Sequence, residues 1–143
     1  MIAYFDTSAL VPLLVSEPSS PTCNQLWNEA TRVISSQLIY PEARAALAQA
    51  ERMQRLTASE LRTAVEDLNS LIEEIDHLEV TASLAFSAGQ LAEAHSLRGY
   101  DAVHLASATI ASDAELVLVT GDQHLGSAAR EIGISVALTT GWQ

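Results

Sequence analysis

The chain has 143 residues and a single cysteine, Cys23; this is enough for one domain with its own core and excludes a disulfide framework or a cysteine-built zinc site. Its 18 acids face 7 basic residues, a formal net charge of −11, and every basic residue is arginine, so phosphate-cradling GK[ST] loops, Schiff-base chemistry and Ser–Lys catalysis are excluded. No apolar run approaches the roughly 18 residues of a membrane span, and no basic residue precedes the first apolar run as a signal peptide requires, so a reducing cytoplasm is the expected setting.

In chain order, Ile2, Ala3, Tyr4 and Phe5 form a continuous apolar run, as expected for a strand buried on both faces, and the run ends on Asp6. A helix is expected near 21–30, a second strand over 32–35, and a further helix over 41–55 that opens with Pro41 and Glu42. Thr57-Ala-Ser-Glu60 reads as a capping box. Beyond it, Leu61, Val65, Leu68, Ile72 and Ile75 recur at spacings of four and three, one stripe of a helix expected over 58–75. Further helices are expected over 81–96, 101–111 and 124–132, with strands at 116–120 and 134–138 and Gly133 as a helix stop. Strands alternating with helices predict an α/β fold: one domain over 1–143, with a mainly parallel sheet of four to five strands flanked by helices. Ligands of such sheets bind beyond the carboxyl ends of the strands.

Four acids stand at element ends that such a sheet can bring together. Asp6 and Asp122 follow strands, while Glu42 and Asp101 open helices. Taken singly, each also fits a strand terminus, a turn residue or a first-turn helix acid. Taken together, clustered carboxylates raise one another's pKa unless a cation neutralises them. An all-oxygen donor set suits Mg²⁺ or Mn²⁺, ions that serve phosphoryl chemistry.

The stretches YFDTSAL, YPEARAAL, YDAVHLASA and LVTGDQHL, in this order and at this spacing, resemble the acidic motifs of PIN-domain ribonucleases. In length the chain is similar to the VapC toxins of bacterial toxin–antitoxin pairs. The resemblance implies a metal-dependent endoribonuclease whose Mg²⁺ or Mn²⁺ pocket is built from Asp6, Glu42, Asp101 and Asp122, with Asp6 and Asp101 as direct ligands. It further implies Ser8 and Thr120 as supporting hydroxyls, and products with a 5′-phosphate and a 3′-hydroxyl. The implied partners are an RNA substrate, a cognate VapB-type antitoxin with a basic tail, and a second copy in a homodimer within a larger toxin–antitoxin assembly. The chain departs from the pattern at Gly121, where family members often carry a larger residue. Two other readings stand beside this one: a PIN-like binding module without activity, and a different acidic-pocket phosphoryl-transfer enzyme. The absence of lysine weighs against the second, as does a first motif of Asp6-Thr-Ser rather than Asp-x-Asp.

His104 lies three residues after Asp101 on the same helical face, and with His124 beside Asp122 it outlines a zinc-like alternative. Histidine on an apolar helix is more often packed and hydrogen-bonded than ligating. His77 and His95 are expected at the surface. Arg44, Arg52 and Arg55, at offsets of eight and three, fall on one side of the helix after Glu42. They are candidate contacts to an RNA backbone, which the overall charge otherwise repels. The same arginines fit a solvated helix face beside Glu51.

Overall fold

The apolar run at the start of the chain forms strand β1 (Ile2–Phe5), and its side chains alternate between two separate cores, as the period of two in a strand demands. Tyr4 packs on one face with Leu105, Leu118 and Leu125. Ala3 and Phe5 pack on the other with Leu10, Leu47, Leu68 and Val119. The computed structural model describes residues 1–112 and 115–140. Around β1 lie β2 (Arg32–Ser36), β3 (Ile75–Leu78), β4 (Leu116–Thr120) and β5 (Ser135–Leu138). The order across the sheet is β3-β2-β1-β4-β5, and every pairing is parallel.

Parallel neighbours require crossovers, and helices supply them. They are α1 (Thr7–Leu10), α2 (Ser20–Glu29), α3 (Ile39–Arg52), α4 (Ala58–Ile72), α5 (Ala82–His95), α6 (Gly99–Ala111) and α7 (Gln123–Glu131). Helices α1 to α4 close over the Phe5 face, and α5 to α7 over the Tyr4 face. Because the chain passes from β1 to β2 on one side and returns from β3 to β4 on the other, strand order reverses at β1. The crevice beyond its carboxyl end is therefore where such a sheet receives a ligand. Among the described residues, no helix is long and apolar enough to cross a membrane.

The structure agrees with the sequence reading on the alternation of elements and corrects it at three points. The stripe predicted to run through Ile75 stops at Ile72; Ile75 opens the edge strand β3, pairing with Val33. The helix after Glu42 ends at Arg52, and Gln54 takes a left-handed backbone (φ 62°), so Arg55 lies off the helix that carries Arg44 and Arg52. The short helix α1, which the sequence did not announce, turns the chain just after β1. The capping box at Thr57 forms in full, with Thr57 accepting from the Glu60 amide and Glu60 from the Thr57 amide. Gly133, at φ +90°, terminates α7 as expected.

Candidate metal centre

Asp6 is the first residue past β1 and is 3% exposed. Its Oδ1 accepts from Ser8 Oγ at 2.7 Å and from the Ala9 amide at 3.1 Å, which makes Asp6 the N-cap of α1. Its Oδ2 accepts from Thr120 Oγ1, at the end of β4, at 2.7 Å. Ser8 is held in turn by the Gly121 amide at 2.8 Å, and Thr120 by the Asp122 amide at 3.0 Å. A Cβ at position 121 would stand 3.1 Å from Thr139 Oγ1 and 3.4 Å from Ser8 Oγ. The small residue at the site of departure from the motif thus leaves the Ser8 clasp undisturbed.

Glu42 sits in the first turn of α3. Its Oε1 accepts from Thr7 Oγ1 at 3.0 Å and lies 2.7 Å from His104 Nε2. His104 is 1% exposed, and its Nδ1 is 2.8 Å from the Tyr4 hydroxyl. A carboxylate only accepts, so Nε2 carries a proton toward Glu42, while Nδ1 meets the Tyr4 hydroxyl. Burial pushes the Tyr4 hydroxyl above its usual range. His104 therefore serves as a buried strut between β1 and Glu42. His124 turns instead to the His95 carbonyl at 2.8 Å. The zinc-like alternative is corrected on this ground, since neither ring is directed at Asp101 or Asp122 in the hydrogen bonds it makes. His95, expected at the surface, is a half-buried partner of Glu131.

Asp101, in the first turn of α6, and Asp122, the N-cap of α7, are spanned by one guanidinium. Arg98 Nε donates to Asp101 Oδ2 at 3.0 Å, and Arg98 Nη2 lies 3.6 Å from Asp122 Oδ2. All four acids and Arg98 line a single cleft of about 570 Å³. An adjoining hollow shares Val11, Glu17, Ala46 and Gln49 with the cleft and is also lined by Arg55, which pairs with Glu17 at 3.0 Å. Arg44 and Arg52 line neither of these two spaces; Arg44 donates to the Tyr40 hydroxyl. Arg98 was absent from the sequence expectations. Its signal was the i, i+3 spacing to Asp101, which by itself does not distinguish a pocket residue from a surface pair.

Burial raises the pKa of Asp6, opposed by His104 and by the hydrogen bonds from Thr120 and Ser8. Burial also raises that of Asp101; Arg98 opposes this shift and the neighbouring Asp122 charge adds to it. The donor set is oxygen only and its charge is undercompensated, which fits a hard divalent cation. Among the described residues, no three His, Cys, Asp or Glu side chains already stand as a closed ligand cluster. The fit is accordingly of chemistry and location, with Arg98 supplying positive charge at two of the acids.

A raised folded pKa means that the stability the group contributes is fully present below the unfolded value of 3.8 and is lost as pH rises through the folded value. Without divalent ions, the wild type should lose stability relative to an Asp6→Asn variant as pH rises above the unfolded value of 3.8. Paired thermal melts above that pH check this; a constant offset between the two proteins would contradict it.

The PIN-domain family model matches residues 3–131. Ribonuclease VapC45 of Mycobacterium tuberculosis is 45% identical over 136 residues, covering 95% of this chain and 94% of the relative. Among solved structures, FitAcB from Neisseria gonorrhoeae superposes with a TM-score of 0.72 at 20% identity, covering 97% of this chain and 98% of that one. A toxin–antitoxin complex from Klebsiella pneumoniae gives 0.66 at 17%, covering 96% and 98%. The two structures share the fold.

Proposed function

We propose that this chain, which belongs to the PIN-domain family, is a VapC-type endoribonuclease: the toxin of a toxin–antitoxin pair, hydrolysing RNA phosphodiester bonds with Mg²⁺ or Mn²⁺ in the acidic cleft. The observation that carries the reading is the meeting of Asp6, Glu42, Asp101 and Asp122 around one cleft at the reversal of strand order. The naming of a relative at 45% identity as a ribonuclease supports it.

A divalent cation bound here would acidify a water and polarise the scissile phosphate. Asp6 and Asp101 would hold it, with Asp122 beside them. Asp6 is fixed for this task because Ser8, Ala9 and Thr120 all donate to it. Both hydrogen bonds of Glu42 fall on Oε1, which makes Oε2 the oxygen to accept a proton from the attacking water. The products would be a 5′-phosphate and a 3′-hydroxyl. A cognate VapB-type antitoxin with a basic tail would complement a cleft lined by four acids in a protein of net charge −11. A cytoplasmic homodimer within a larger toxin–antitoxin assembly completes the reading.

The deciding experiment is cleavage of cellular RNA by the purified protein with Mg²⁺ or Mn²⁺, against EDTA and an Asp6→Ala variant. Cleavage that needs the ion and Asp6 is the expected result. If no cellular RNA is cut in either metal, the chain is a binding module instead.

A further inference from the structure

Arg98 stands in the cleft without belonging to the acidic set. Its side chain is 67% exposed, whereas those of Asp101 and Asp122 are 12% and 24% exposed. The two acids come from different crossovers, α6 and α7. The guanidinium spans both, with its carbon 5.0 Å from the centre of the Tyr100 ring. An exposed arm thus closes a pair of acids that lie deeper than it does. An ion pair whose guanidinium is open to water is weakened by solvent screening and is readily exchanged for a multivalent cation. Once exchanged, the guanidinium retains the Tyr100 face as a support, at the mouth of a cleft in a chain of net charge −11. A planar fork of donors in that position suits a phosphate diester better than a point charge would.

We propose that Arg98 is the resident counter-ion of the Asp101–Asp122 pair and the phosphate-binding residue of the cleft: it neutralises the acids until a divalent cation takes them, then turns to the backbone of the bound RNA. This rests on the nuclease reading above and adds a residue and an exchange that the acidic motifs do not contain.

The test compares the full chain with Arg98→Ala, Arg98→Lys and Arg32→Ala. Arg32 opens β2 at the opposite edge of the sheet, pairs with Asp76 and gives the same change in net charge. Mn²⁺ uptake is measured by titration calorimetry, and kcat and KM for RNA are measured at saturating Mn²⁺. Arg98→Ala should bind Mn²⁺ about two- to five-fold more tightly than the wild type, while Arg32→Ala should not. At saturating Mn²⁺ its KM for RNA should rise about ten-fold, with kcat much less affected. Arg98→Lys should restore Mn²⁺ affinity toward wild type but recover KM only in part. If Arg98→Ala binds Mn²⁺ no more tightly than Arg32→Ala, the counter-ion role is overturned; an unchanged KM overturns the phosphate role. A wild-type protein that takes up no Mn²⁺ would overturn the metal-nuclease reading itself.

Discussion

Asp101→Asn will keep the fold and lose RNA cleavage by about a hundred-fold or more. Asparagine has nearly the same shape as aspartate, so the opening of α6 is left intact. What disappears is the negative charge that a divalent cation requires and that burial beside Asp122 already makes costly. Loss of the Arg98 pair is a small, solvent-screened effect, and relief of repulsion from Asp122 offsets it. Thermal melts should therefore show a midpoint equal to or above that of the wild type at neutral pH, alongside a cleavage rate near background. A variant that cut RNA at the wild-type rate would remove Asp101 from the proposed metal centre.

The second large effect falls on stability. His104→Ala should cost about 3 kcal/mol, read as a shift in the urea midpoint. It opens a cavity beneath α6 and leaves the buried Tyr4 hydroxyl without its 2.8 Å partner. It also frees Glu42 from the 2.7 Å bond that fixes its Oε1, so cleavage should fall as well. His104→Phe separates the two causes, because it fills the space and restores neither hydrogen bond. If the Phe variant were as stable as wild type, packing rather than the Tyr4–His104–Glu42 chain would be what His104 contributes.

Much of the fold was legible because buried parallel strands and amphipathic helices leave distinct periods in the sequence. Strand β3 was not legible. It has four residues at the sheet edge, two of them exposed, Asp76 and His77, and Ile75 continues the spacing of the stripe on α4. The placement of the four acids was legible because each lies at the end of an element, and parallel strands put those ends on one edge. Partners across the cleft were not. His104 shares a helical face with Asp101 by spacing, yet its ring points inward to Tyr4, a contact 100 residues away in sequence. Both are polar tips in otherwise apolar segments, and buried tips must find one another or water. That signal was present, but only a fold could say which tip met which. The bridge from Arg98 to Asp122 likewise depends on how α6 sits against α7.

The sheet order also sets a schedule. Strand β1 is central and is made well before its partner β4, which lies more than a hundred residues further along, with Ile2 opposite Leu116. A nascent chain that has completed α6 already holds Asp6, Glu42 and Asp101 but lacks Thr120, which fixes Asp6, and Asp122. One edge of its innermost strand is still unpaired, a template for misassembly until β4 arrives. The cleft is therefore completed only once β4 and the opening of α7 have been added, and any chemistry it performs must wait for them.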